Sequence, residues 1–216
     1  MSYPGALAEA VRRAGLDLMY GALGVPERFH AALRTQWFAL TQPIADGELT
    51  TDAVCEQIER RGPEVRGFRY RLRLLRGFEE YARGGGEIRC LSPAVYRFIR
   101  AQQRFEPGEE FTSDRNDLVA IDGIPPEEVL LAAEGSGWSL VPRRLSETAD
   151  HLPGAMLMAA AGQAVLASGG LRSISRMFGE FVRHAEVTAP VTLVVSDACD
   201  VQASQRGEVV FRAEVS

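Results

Sequence analysis

Asp150 and His151 stand side by side just ahead of a Pro153-Gly154 step, and Leu152 to Gly170 then runs without a charged residue in a chain that is 25% charged. An imidazole beside a carboxylate is the usual equipment for moving a proton, the carboxylate orienting the ring and favouring its charged form. A Pro-Gly step opening a helix lets backbone approach a ligand closely, and the first amides of Gly154 and Ala155 have no intrahelical acceptor. Those amides and the positive helix end suit the oxyanion of an attacked carbonyl. A second candidate pair is Glu9 and Arg12, three apart and so on one helix face. Arg12 could hold Glu9 ionised or grip a phosphate; an ordinary surface ion pair is the plainer alternative. His151 also has a plain alternative, a helix-start histidine held by Asp150.

The elements that must position these residues follow from punctuation and periodicity. Leu7, Val11, Ala14 and Leu18 make an apolar stripe over 5–20, ended by Gly21 and Gly24-Val25-Pro26. Strands are expected at 29–40, 49–59, 67–75 and 87–90, and a helix at 93–104 capped by Ser92 with Pro93 in its first turn. The basic run Arg60 to Arg76 alternates charge with apolar residues, the pattern of a strand with one face in solvent. A phosphate- or carrier-binding face is the other reading of it. Residues 106–126 are rich in Pro, Gly and acids and read as a linker. Strands at 129–132 and 138–142, the apolar helix 154–168, and strands at 173–183, 190–197 and 208–215 follow. His30 and His184 fall in strand patterns and read as structural.

The chain repeats itself. "YPGALAEAVRRAGLDL" and "LPGAMLMAAAGQAVLA" both start with Pro-Gly, both are helical, and both lead through a Gly stop into a long strand. The expected fold is therefore α+β, two tandem repeats each wrapping an antiparallel sheet around a central helix. A helix enclosed by sheet has no solvent face, which accounts for the missing charges. The expected domains are 1–105, a linker at 106–126, and 127–216.

Composition narrows the function classes. A net charge of -5 and a pI near 5.4 argue against nucleic acid as the main partner. The apolar run is shorter than the roughly 20 residues a bilayer requires, and no leader is evident, so a cytoplasmic location and no membrane are expected. Cys55, Cys90 and Cys199 read as small buried or half-buried strand residues. Neither a metal nor a cofactor is called for.

The residues resemble the A-factor biosynthesis (AfsA-type) hotdog family. "DHLPGAMLMAAAGQA" is similar to that family's second-repeat signature, Asp-His-x-Pro-Gly leading into a helix with Glu-x-x-Arg-Gln. "LAEAVRRAG" resembles the first-repeat signature, with Glu9 and Arg12 at the matching spacing. "GGGEIRCLSPAVYRFIR" and "FGEFVRHAEVTAPVTL" resemble two further segments in the same order. The resemblance implies a double hotdog packed as a pseudo-dimer. It also implies chemistry on acyl thioesters carried by an acyl carrier protein or coenzyme A. The family's founding members join a β-ketoacyl group to the hydroxyl of dihydroxyacetone phosphate on the way to γ-butyrolactone signals, and related hotdog enzymes dehydrate or hydrolyse acyl thioesters.

This chain departs from the pattern at Ala159 and Gly162, where the family has Glu and Arg, leaving Gln163. It departs also at "LSET" (145–148) and at Ser2-Tyr3. The surviving polar residues are Glu9 and Arg12 in one repeat and Asp150 and His151 in the other, which suggests a composite site. One strand fewer is expected in the second repeat than in the first, leaving an edge for a homo-oligomer or partner to cover. Two functions stay open: an enzyme of secondary metabolism performing acyl transfer, dehydration or cyclisation on a thioester, and a degenerate hotdog that binds an acyl ligand or a partner subunit.

Overall fold

A computed structural model describes residues 3–43, 49–102, 118–142, 145 and 150–216. They fall into two compact units, an N-terminal one of Glu9–Phe105 and a C-terminal one in which Glu106–Ser216 is joined by Met1–Ala8.

The N-terminal unit sets residues 9–17 of helix α1 (Tyr3–Asp17) on an antiparallel sheet of β1 (His30–Leu40), β2 (Thr50–Arg61), β3 (Glu64–Arg76) and β4 (Glu79–Leu91), in the order β2-β3-β4-β1. The apolar stripe does the docking. Leu7, Val11 and Ala14 are buried as expected, while Met19 goes fully inside and Leu18 stays half-buried. That change falls in a π turn over Leu18–Ala22, closed by a bond from Leu23 N to Leu18 O. Gly24, at φ +62°, then turns the chain away.

Strand β4 is much longer than the four residues its composition suggested. The Gly84-Gly85-Gly86 run looks like a break, yet here it is the close-packed middle of the sheet. A Cβ on Gly84 would sit 2.5 Å from Val11 of α1, and one on Gly85 would sit 3.0 Å from the Trp37 indole nitrogen. Helix presses on one face at this point and Trp37 on the other, so neither side has room for a side chain. Tyr70, 1% exposed, locks the arrangement by donating its hydroxyl to Val11 O at 2.9 Å. Burial pushes its phenol pKa well above the ordinary 10, against the lowering effect of the Arg12 charge.

β3 alternates as expected of the basic run, with Phe68, Tyr70, Leu72 and Leu74 inside and Arg69, Arg71 and Arg73 outside. Helix α2 (Pro93–Gln102) follows, with Val95 N donating to the Ser92 hydroxyl at 3.5 Å. Its Tyr96 ring stacks on His30 at 3.9 Å, so His30 is a packing residue. Residues 103–104 of the expected helix, 106–117 of the expected linker and the variant positions 2 and 146–148 lie outside the described residues.

The C-terminal unit carries β5 (Leu131–Glu134), β6 (Gly137–Leu140), helix α3 (Gly154–Ala167), β7 (Arg176–Phe181), β8 (Thr192–Val195), β9 (Asp200–Gln205) and β10 (Glu208–Val215). All pairings are antiparallel, in the order β7-β10-β9-β8-β6-β5. Three expectations fail here. Among the described residues this unit has six strands against four, which reverses the expectation of one strand fewer. β9 escaped notice because DVQASQ carries only small and polar residues, although Val201, Ala203 and Gln205 point inside. Cys199 sits at φ +62° in the turn before β9 and not in a strand, and β7 stops at Phe181, leaving His184 in a loop.

Helix α3 packs across β7, β10, β9, β8 and β5. Leu157 to Val165 is buried without interruption. Sheet residues under it are small where the helix comes closest: a Cβ on Gly179 of β7 would lie 2.4 Å from Met158 Sδ. A charge on this helix would be buried with no partner. Ala160→Asp, at a position with no exposure, should therefore cost about 3 kcal/mol or more and remove most soluble protein. Thermal unfolding checks this; a soluble variant with the wild-type melting temperature contradicts the enclosure of α3.

Candidate active site

The amino end of α3 collects the polar groups that its body excludes. Its N-cap residue is Pro153, whose ring cannot accept a hydrogen bond, and the first intrahelical donor is Met156 N, to Pro153 O at 2.9 Å. The amides of Gly154 and Ala155 therefore precede the helix's own ladder and point out of its positive end. Immediately before them, His151 Nδ1 lies 2.6 Å from Asp150 Oδ1. A carboxylate can only accept, so in this contact Nδ1 is the donor. His151 is 36% exposed and Asp150 48%, leaving the pair open to a ligand.

The segment is fixed from the side by the loop after β7. Leu152 N donates to Ala185 O at 2.7 Å, and His151 and Glu186 form an antiparallel bridge. This places the His184 ring edge-on to His151 at 4.8 Å, with 79° between planes. The sequence pattern had put His184 in a strand. The signal that could have moved it is the close run of Arg183, His184 and Glu186 just before Thr188-Ala189-Pro190, which is turn chemistry rather than strand chemistry.

In the N-terminal unit, Glu9 accepts from Arg12 twice, from Nε and Nη2 at 2.8 Å each, and from Arg13 Nε at 3.2 Å. Both members of the main pair are about 30% exposed, at 30% for Arg12 and 26% for Glu9. The hydrogen bonds from Arg12 hold the Glu9 carboxyl below its usual range, against the opposing effect of burial. A carboxylate held this way is an anchor for Arg12 and a weakened base. The outer face of this unit's sheet carries an open groove of about 550 Å³ around Trp37, Arg71, Arg73 and Arg83. Its arginines face acids, Arg71 to Glu56 at 3.2 Å, Arg73 to Asp52 at 2.5 Å and Arg83 to Glu80 at 2.5 Å, which is how a solvated strand face is neutralised. Among the described residues no group of three or more His, Cys, Asp or Glu is placed to hold a metal ion, and no helix is long and apolar enough to cross a membrane.

With this geometry in view, the comparisons with known proteins are informative. The chain is 30% identical over 199 residues to the 2-oxo-3-(phosphooxy)propyl 3-oxoalkanoate synthase of Streptomyces virginiae, covering 85% of this chain and 67% of that protein. It belongs to that synthase family, the A-factor biosynthesis family. The synthase of the same name from Streptomyces coelicolor is 26% identical over 211 residues, covering 87% of this chain and 64% of that protein. The chain thus spans about two thirds of the length of either relative. No protein-family model matches it.

Solved structures show the fold. An acyl-ACP thioesterase from Bacteroides thetaiotaomicron superposes with a TM-score of 0.62 at 11% identity, covering 99% of this chain and 88% of that one. A MaoC-like dehydratase gives 0.55 at 11% identity, covering 96% and 81%. The 12:0-ACP thioesterase from Umbellularia californica gives 0.51 at 17% identity, covering 98% and 86%. The fold is a double hotdog.

Against the family pattern, the two changed positions in α3 have a packing explanation. Gly162, where the resemblance expects Arg, has the Pro4 ring 3.1 Å from where its Cβ would be, and Ile174 at 3.0 Å. Ala159 is 6% exposed. Gly162 has no space for a long side chain, and a charge at Ala159 would start in a buried position. Gln163, the member that remains, is fully buried and spans the start of β5, accepting from Leu130 N at 2.7 Å and donating to Glu128 O at 2.9 Å. It is a clamp for that segment.

Because the folded Glu9 pKa lies below the ordinary value of 4.5, its ion pair stabilises the protein fully above that value and ceases to do so as pH falls through the lowered one. Glu9→Gln should lose about 1 kcal/mol near neutral pH, a part-exposed pair being partly screened. Denaturant unfolding in neutral and in acid buffer checks this. The gap between variant and wild type should close in acid, and an unchanging gap contradicts the assignment.

Proposed function

We propose that this chain processes acyl thioesters, in secondary metabolism, at the amino end of α3. The reaction we favour transfers a 3-oxoacyl group from a carrier-bound or coenzyme A thioester to the hydroxyl of a small phosphorylated acceptor. The observation that carries the reading is the Asp150–His151 pair ahead of the uncapped amides of Gly154 and Ala155, in a chain whose relatives are named for making a phosphooxy-propyl 3-oxoalkanoate ester.

The steps balance without a metal or redox partner. Asp150 holds Nδ1–H, and His151 Nε2 takes the acceptor hydroxyl's proton as its oxygen attacks the thioester carbonyl. The oxyanion forms against the Gly154 and Ala155 amides. Collapse expels the thiolate, which takes the proton back from His151.

A second reading has its own observation. The space at Gly162, where the family has Arg, is filled by Pro4 and Ile174, as expected of a hotdog that binds an acyl chain without turning it over. Incubation with 3-oxoacyl, 3-hydroxyacyl and saturated acyl thioesters, with and without dihydroxyacetone phosphate, separates the two by mass spectrometry. Acyl transfer should need the 3-oxoacyl donor and the acceptor together. His151→Ala should lower turnover about 10²-fold or more with the fold intact. Binding of the thioesters without product in wild type would favour the second reading.

A further inference from the structure

We propose that β2 is a pairing edge, to which a second copy of this chain adds its own β2, antiparallel about a two-fold axis. β2 is the outermost strand of the N-terminal sheet. Among the described residues no backbone group bonds to the side of it that faces away from β3. The edge strand of the C-terminal unit, β5, is instead closed by its own chain, through Val119 N to Leu131 O at 3.1 Å and the Leu118–Ala132 bridge. Glu56 to Arg61 are all exposed, and two apolar side chains, Val54 at 45% and Ile58 at 39%, lie open along the strand. β2 carries no proline and no lysine, the residues that commonly block such an edge.

Charge and a bulge select the occupant. Asp52, Val54 and Gln57 lie opposite Arg73, Arg71 and Arg69 of β3 and share their outer face, while Ala53, Cys55 and Ile58 lie opposite Leu72, Tyr70 and Phe68 and share the inner one. The alternation therefore slips by one at Glu56, the extra residue of a bulge. The slip carries Arg61, opposite Glu64, to the same face as Asp52. Two copies of β2 aligned with Asp52 opposite Arg61 match outer residues with outer and inner with inner, and Cys55 meets Ile58. The two-fold axis makes the Asp52–Arg61 match twice. Asp52 also meets Arg73, and at 46% exposed it keeps room for a second arginine. A slip of two residues one way sets Asp52 against Glu59, also twice, and a slip the other way sets Arg61 against Val54. A slip of one residue turns outer side chains against inner ones. A copy of β2 carries both halves of this charge pattern, so the partner it fits is this chain itself.

The test needs no thioester chemistry. Sedimentation over a range of concentrations should show a monomer–dimer equilibrium for the wild type. Each charge match occurs twice, so Arg61→Asp should weaken association about tenfold, whereas Arg61→Lys should leave it near wild type. A covalent trap reads the register. Within one chain Cys55 and position 58 are about 10 Å apart along an extended strand, too far for a disulfide. Across the proposed dimer they are directly opposite, at the spacing a disulfide bridges. Ile58→Cys under oxidised glutathione should thus give a covalent dimer. Wild type should give none through Cys55, and adding Cys55→Ser to Ile58→Cys should abolish it. A wild-type monomer throughout the concentration series would overturn the proposal. So would a dimer that Ile58→Cys does not trap, because another surface would then be holding it.

Discussion

Everything in the C-terminal unit follows from enclosing α3. Leu157 to Val165 has no face in water, so no side chain there can be charged without leaving that charge unpaired in an apolar interior. The sheet beneath it must also be small, because Gly179 under Met158 is the difference between contact and collision. Polar chemistry is thereby displaced to the ends of the helix. At the amino end it meets amides that the helix cannot satisfy, and a proline that cannot cap them. The candidate site, the first amides of α3 beside the Asp150–His151 pair, comes from the same constraint that strips the helix body of charge.

The first helix obeys the constraint less strictly. Its inner stripe is as buried as that of α3, and the three glycines of β4 give it room. Its other face stays part-exposed, and there Glu9, Arg12 and Arg13 form a network that an enclosed helix could not hold. The family resemblance expects a Glu-x-x-Arg pair in both helices. In this chain the packing around Ala159 and Gly162 leaves it only the first. Chemistry assigned to the second helix must then rest on the residues leading into it, and Asp150 and His151 are those residues.

The sequence was most legible where punctuation and period agreed. Pro-Gly starts and Gly stops located α1 and α3, Ser92-Pro93 located the start of α2, and the alternation through Arg69, Arg71 and Arg73 gave β3 its solvent face. It was least legible where a residue type means opposite things in different surroundings. Gly84 to Gly86 signals a break in isolation and close packing inside a sheet. Val201, Ala203 and Gln205 alternate too weakly in hydrophobicity to announce a strand, and Gln205 looks like surface although it is buried and fully bonded. Of the candidate site, Asp150, His151 and the Gly154-Ala155 amides lie in one contiguous stretch of sequence. His184 lies outside it, and only the loop after β7 brings it to His151, a contact that joins segments more than thirty positions apart in the chain.

The central claim is that the acyl thioester's reacting carbonyl lies at the head of α3. It can be tested by photolabelling with a 3-oxoacyl thioester analogue that carries a diazirine beside the carbonyl, followed by peptide mapping. The account predicts label on the 150–158 segment and on the facing loop around His184, competed away by unlabelled 3-oxoacyl thioester. Competed label confined to the outer groove around Trp37 and Arg71, with none at the α3 head, would contradict it.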